Sequence, residues 1–277
     1  MNPAGKTVLV TGSTDGLGRE VALRLGKLGA RVLVHGRDRT RGEEVVKAIK
    51  AGGGDARFYQ ADLASLAEVR RLAAEVLKDN PRLDILINNA GVGSGPAGAP
   101  REESADGHEL RFAVNHLAGF LLTGLLLPTI LKSAPARIVN VSSLGQQAIE
   151  FDDVMLTKAY ERRRAYMQSK LAQILFTVDL AQALQGKGVT VTTLHPATYM
   201  DTKMVRAHTT PISTVAEGAD AVMQLAVSDA VEGETGVYFN GLAEARAIPQ
   251  AYDRDARARL MALSLKLTGL SDGTFRP

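Results

Sequence analysis

The sequence predicts one α/β domain built on a doubly wound parallel sheet. Short apolar, β-branched runs alternate along the chain with segments of helical period, the pattern of successive βαβ units with both sheet faces covered. A glycine-rich turn stands at the first strand–helix junction. The length of 277 residues suits a single large α/β domain, and no linker-like stretch divides it.

The elements follow in order. Residues 7–11 (TVLVT) read as a strand buried on both faces. Residues 17–28 put Leu17, Val21, Leu25 and Leu28 on one helical stripe, and Gly29 closes it. A second strand spans 31–35, and a second helix spans 41–51, stopped by Gly52, Gly53 and Gly54. Strand 56–60, helix 66–77 and strand 84–88 come next. A long, mostly apolar helix runs from about 106 to 131, followed by strand 137–142, helix 166–184 and strand 189–195. Helix 215–227, a short strand at 237–240 and helical spacing at 256–267 complete the chain. Right-handed crossovers wind these units onto both sides of one sheet.

Composition removes several function classes. There is no cysteine, which excludes disulfides, thiolate catalysis and cysteine-ligated zinc. That fits a reducing compartment, and a cytoplasmic location is expected. The net charge is only +3, with no basic tail, so no nucleic-acid partner is expected. No apolar secretory segment follows the first residues, and the apolar stretch near 117–131 reads as too short and broken to span a bilayer. His35, His108, His116 and His208 are scattered, so no metal site is expected. His116 reads as a packing residue.

The first chemical signal is Thr11-Gly12-Ser13-Thr14-Asp15-Gly16-Leu17-Gly18. Glycines there allow a tight turn and close approach to a pyrophosphate, which then meets the N–H groups at the helix start. This makes the fold Rossmann-type. The second signal is Gly36-Arg37-Asp38-Arg39 after the second strand, where such folds hold the adenosine ribose. An acid there would bind a 2′-hydroxyl and an arginine a 2′-phosphate. Arg37 comes first, which favours NADP, with NAD the alternative; Asp15, in the glycine loop, opposes a phosphate.

Six motifs in order resemble the short-chain dehydrogenase/reductase family, particularly its retinol dehydrogenase-like branch. The glycine pattern TGSTDGLG has that family's spacing. Asp62-Leu63 resembles its adenine-contacting pair, and Asn88-Asn89-Ala90-Gly91 its cofactor-bordering NNAG signature. Asn115 matches the asparagine that supports a water path to the active site. Ser143 and the pair Tyr166 and Lys170 match the catalytic serine and YxxxK. The resemblance implies that Lys170 also binds the nicotinamide ribose, and that two or more copies pair through the long helix and the Tyr166 helix.

The YxxxK pair has a physical reading of its own. Residues four apart share a helix face, and an ammonium near a phenol lowers the phenol's pKa. Ser143 can hydrogen-bond the reacting oxygen. Only one of Ser142 and Ser143 can face the cofactor, because strand side chains alternate. Tyr160 and Arg164 repeat the spacing, but arginine keeps its proton, and 161–164 reads as a charged loop or surface helix.

Two departures from the family pattern stand out. The stretch between Ser143 and Tyr166 is long and lies beside the expected reaction centre. After the sixth strand the chain reads His195-Pro196-Ala197, with Pro196 expected near the cofactor and Thr198 and Thr202 competing to contact the nicotinamide. The substrate pocket is expected from 91–100, 144–165 and 197–215. The expected reaction is reversible carbonyl reduction of a small molecule, with apolar residues in 151–156 and 200–205 pointing to a lipophilic or aromatic one. A non-catalytic dinucleotide sensor is the alternative, and an epimerase or dehydratase a third; intact Ser143, Tyr166 and Lys170 argue against the sensor.

Overall fold

The computed structural model describes residues 1–207 and 209–276, so His208 lies outside the described residues. The first half of the chain forms β1 (Thr7–Val10), α1 (Gly16–Lys27), β2 (Arg31–Gly36), α2 (Arg39–Ala51), β3 (Asp55–Gln60), α3 (Leu66–Asp79) and β4 (Ile85–Asn88). The second half adds α4 (Ala118–Lys132), β5 (Ala136–Val141), α5 (Arg162–Ala183), β6 (Val189–His195), α6 (Lys203–Arg206), α7 (Val215–Val227), β7 (Tyr238–Asn240), β8 (Ala243–Ala245) and α8 (Arg254–Thr268). The eight strands make one sheet in the order β3-β2-β1-β4-β5-β6-β7-β8. All neighbours are parallel except β7 and β8, an edge hairpin that the sequence pattern did not reveal. Strand order reverses between β1 and β4, so the crevice outside their carboxyl ends is the natural ligand site.

The central strands β1, β4 and β5 bury both faces. Side chains of α1, α2 and α7 share one core with Val8, Val10 and Val32. Those of α3, α4 and α5 share another with Leu9, Leu33 and Leu86. Gly29 follows the α1 cap at φ +83, as its place beyond the helix end requires. Helix α5 starts a turn earlier than expected, because Glu161 caps it by accepting from Arg163 N and Arg164 N.

The long apolar helix is not uniform. Phe112–Leu117 forms a π-helical turn that runs directly into α4. Such turns cost regular bonding and often mark functional positions. Phe112–Lys132 has 21 residues, more than the apolar stretch 117–131 that the sequence marked as too short, and is long and apolar enough to cross a membrane by length and composition. Its apolarity serves the core, since 72% of its most apolar window is buried within the protein.

The C-terminal segment completes that burial. Phe275 packs on Phe120 of α4 at 4.8 Å and on Phe176 of α5 at 5.3 Å between ring centroids. Arg257 pairs with Asp179 at 2.8 Å. The chain's own α8 and tail thus pack against α4 and α5.

Candidate active site

The glycine loop is a cradle that a side chain would fill. Gly12 has φ +64, and a Cβ there would lie 2.8 Å from Ala90 Cα. A Cβ on Gly18 would lie 2.3 Å from Gly12 O and 2.4 Å from Asn89 Nδ2. Asn89 staples the end of β4 to the loop, its Nδ2 donating to Thr11 O at 2.9 Å and Gly12 O at 3.2 Å. Thr11 Oγ1 accepts from Asn89 N and Ala90 N, both at 3.0 Å. Thr14 packs on Gly36, where a Cβ would come within 2.4 Å of its methyl, and Leu17, in the first turn of α1, is buried in the core.

Ser13 plays a different part from the one expected. Its hydroxyl donates to Val10 O at 2.8 Å and accepts from His35 N at 3.0 Å. Its own N–H donates to His35 O at 2.9 Å. With both groups occupied and the residue fully buried, Ser13 shapes the loop from beneath. Burial pushes the pKa of His35 down to about 4, and its neutral ring accepts from Gly12 N at 3.0 Å.

At the adenosine end, Asp38 caps α2 by accepting from Arg41 N at 3.1 Å. Its carboxylate is therefore engaged by the helix. Arg37 is 69% exposed and lies 3.7 Å from Asp62. Asp62 also accepts from Ala64 N at 3.0 Å, while Leu63 turns into the core. Arg41, which the sequence reading passed over, reaches Asp15 at 3.5 Å and Asp38 at 3.4 Å. Asp15 is also paired to Lys203 at 2.9 Å. That bond holds its carboxyl below the usual range, and the two cations offset the charge expected to oppose a phosphate.

At the reaction end, β5 and α5 bring Ser143, Tyr166 and Lys170 together. Ser142 is spent on the sheet, its N–H and hydroxyl both donating to Leu194 O, at 2.8 and 3.1 Å. Ser143 is the free member of the pair: its Oγ accepts from Gly145 N at 3.0 Å, and Ser143 Oγ and the Tyr166 ring both border Gly145, at 3.5 and 3.9 Å from a Cβ placed there. Lys170 is buried and donates to Val141 O and Gln173 Oε1, both at 2.9 Å. Its Nζ stands 5.9 Å from the centroid of the Tyr166 ring. Asn115, in the π-turn, accepts from Val92 N at 2.8 Å and donates to Val92 O at 3.1 Å and to Ser169 Oγ at 2.9 Å. A Cβ on Gly91 would sit 3.1 Å from Asn115 Oδ1 and 3.4 Å from Lys170 Nζ, so Gly91 borders both.

The electrostatics differ from the expectation for the Tyr166–Lys170 pair. Burial raises the Tyr166 pKa, and the Ser143 hydroxyl is what draws it back. Burial also pushes Lys170 down to about 7 from 10.5, so near neutrality part of its charge is lost. Between these values an unfolded chain holds a proton that the folded one lacks, so folded stability from this group rises with pH across the window. Lys170→Met is expected to remove that increment. Melting temperatures of the cofactor-free protein from pH 7 to 10 test this, and the same slope in both proteins would contradict it.

The remaining wall is the segment after β6. Pro196 is buried. Thr198 lies at His195, its Oγ1 3.0 Å from Nε2, and His195 in turn feels the Lys170 charge. Thr202 lies farther along the crevice, its methyl 3.3 Å from a Cβ on Gly16, and caps α6 through Val205 N. The two threonines thus have different neighbours, His195 for Thr198 and Gly16 for Thr202. Loop 91–100 is clamped by Arg111, which donates to Gly93 O and Ser94 O, both at 3.3 Å, and by Arg162, which donates to Gly95 O at 2.6 Å. Apolar residues of the long stretch, Phe151, Val154 and Met155, pack on the cluster around Leu171 and Leu260, so their pattern reflects packing.

Fold and crevice together define a dinucleotide-dependent dehydrogenase. The family model of the short chain dehydrogenases matches residues 6–212, and the chain belongs to that family as an NAD(P)-dependent enzyme. Among relatives, it is 40% identical to human retinol dehydrogenase 14 (Homo sapiens), over 96% of this chain and 87% of that one. It is 38% identical to human retinol dehydrogenase 13, over 98% and 87%. Among solved structures, an uncharacterised protein from Mycobacterium paratuberculosis has TM-score 0.80 and 31% identity, covering 96% of this chain and 94% of that one. Pseudomonas aeruginosa RhlG, solved as an NADP active-site complex, has TM-score 0.69 and 28% identity, over 87% and 97%.

Proposed function

We propose that this enzyme interconverts an alcohol and a carbonyl on a lipophilic skeleton, with NADP(H) preferred. The observation that carries the reading is the convergence of Ser143 and Tyr166 at Gly145, with Lys170 buried beside the Tyr166 ring. The cradle suits a pyrophosphate: Asp15 takes the Gly16 N–H, and the N–H groups of Leu17 and Gly18 belong to the first helical turn, where no intrahelical acceptor exists. A bound nicotinamide supplies the hydride.

The chain's own residues handle the proton. Ser143 Oγ accepts from Gly145 N, and its single hydrogen, which otherwise serves Tyr166, can turn to donate to the substrate oxygen. Tyr166 gives up its phenolic proton to that oxygen during reduction and takes it back during oxidation. In its charged form Lys170 has three donors; Val141 O and Gln173 use two, which leaves one for a ribose hydroxyl. Asn115 keeps the carbonyl-lined wall at Val92 in place.

NADP preference is supported by engaged Asp38 and exposed Arg37, with Arg41 close by. Arg37→Ala is expected to weaken NADPH binding about ten- to hundredfold, the loss of one charged hydrogen bond to a phosphate, and to leave NADH binding unchanged. Calorimetric titration of both cofactors decides it; equal losses for both, or tighter NADH binding by the wild type, would remove the assignment. A lipophilic substrate is supported by the names of the relatives and by exposed Leu144, Tyr199, Met204 and Ile212 on the loops beyond β5 and β6. Retinol and its aldehyde are the first compounds to test against short polar alcohols and aldehydes; faster turnover of the short polar set would contradict it.

A further inference from the structure

Ser143 lies past the end of its strand. β5 pairs with β6 up to Val141, and Ser142 makes the last bonds to that neighbour. The backbone of Ser143 is held by something else. Its carbonyl accepts two side-chain donors, Gln146 Nε2 at 3.0 Å and Tyr238 OH at 3.3 Å. Gln146 Oε1 in turn accepts from Ile248 N at 3.0 Å. Two residues on, Gln250 exchanges both bonds of its carboxamide with the backbone of Ile149, at 2.7 and 3.2 Å. Tyr252 OH accepts from Ala247 N at 3.1 Å. A continuous polar brace thus joins 143–149 to 247–252, and Tyr238 is buried on β7.

We propose that Gln146 and Tyr238 are positioning residues for Ser143, and that the segment after β8 holds them, so that the C-terminal part of the chain sets the hydroxyl presented to the substrate oxygen. This rests on the reading of Ser143 and Tyr166 given above. The physical argument is geometric. A carbonyl with two donors has one preferred direction, and the Ser143 hydroxyl rides on the same residue, fixed further by Gly145 N. Losing a donor lets the peptide rotate, and catalytic geometry is sensitive to displacements of this scale. The same displacement moves the Ser143 hydroxyl relative to Tyr166, whose pKa it draws down. Lys170 is held by Val141 O and Gln173 Oε1, and makes no bond to Gln146 or Tyr238.

The test uses the full chain with NADPH and a reducible aldehyde. Gln146→Leu and Tyr238→Phe are each expected to lower kcat about tenfold, with substrate KM and NADPH Kd close to wild type. The alkaline limb of the kcat–pH profile is expected to move to higher pH, because Tyr166 loses the interaction that lowers its pKa. Ser143→Ala and Tyr166→Phe serve as references. If those two are inactive while Gln146→Leu and Tyr238→Phe keep wild-type kcat and the wild-type limb, the positioning role is overturned. A kcat loss with an unmoved limb and weakened NADPH binding also overturns it, since that marks general loosening. Wild-type turnover by the references would instead overturn the reading of the site. Tyr238→Phe differs by one oxygen and carries the test alone if Gln146→Leu does not fold.

Discussion

Tyr166→Phe is expected to lower turnover about 10²- to 10⁴-fold, the usual worth of a positioned general acid, while NADPH still binds. The substitution removes one hydroxyl and keeps the ring that lies beside Lys170. The glycine cradle, Arg37 and Lys170 remain, so the dinucleotide keeps its contacts. Water is a poor substitute, because burial raises even the Tyr166 pKa and so describes a site that disfavours charge. Stopped-flow fluorescence of bound NADPH and steady-state turnover separate binding from chemistry. Full turnover in the variant would refute the assignment of Tyr166.

The second large effect belongs to Gly18. Its missing side chain is where Gly12 O and Asn89 Nδ2 approach, at 2.3 and 2.4 Å from an added Cβ. One neighbour is backbone and the other is already bonded to Thr11 O and Gly12 O, so neither can yield without opening the loop. Gly18→Ala is expected to destabilise the fold by about 1–3 kcal/mol, as overpacking does, and to abolish tight NADPH binding because the cradle loses its shape. Gly53→Ala, where an added Cβ meets nothing within 4 Å and φ is +83, is the contrast: strained, yet remote from the crevice, so NADPH affinity stays at the wild-type value. Urea denaturation and calorimetric titration read the two effects. A Gly18→Ala protein with wild-type stability and affinity would show that the loop is not close-packed.

Much of the sheet could be read from the sequence because its strands are buried on both faces, and such runs are nearly continuous apolar stretches. β8 escaped because its residues Ala243–Ala245 are exposed or half-buried and lack that signal. The π-turn escaped because its cause is tertiary: Asn115 is drawn to Val92 and Ser169, which lie on other elements. The start of α5 was missed because Arg162, Arg163 and Arg164 look like loop residues until Glu161 is seen to cap them. Ser143 over Ser142 rested on motif likeness alone; the sheet explains it, since Leu194 O occupies Ser142. The opposite failure is Ser13, whose motif position suggests the cofactor but whose hydroxyl serves Val10 and His35. Arg41 had a signal, three residues after a capping aspartate, but its approach to Asp15 depends on how α2 docks beside α1. Gln146 and Tyr238 carried no signal at all, because their target is a backbone carbonyl.

The most direct measurement is NADPH consumption by the wild-type protein across a panel of aldehydes and ketones, retinaldehyde included, with product alcohol quantified. The account predicts carbonyl-dependent loss of NADPH matched one to one by alcohol, fastest on lipophilic members and abolished by Tyr166→Phe. A tight NADPH complex that reduces no member of the panel would identify a binding protein instead, and turnover without net NADPH loss would identify an isomerising or dehydrating enzyme.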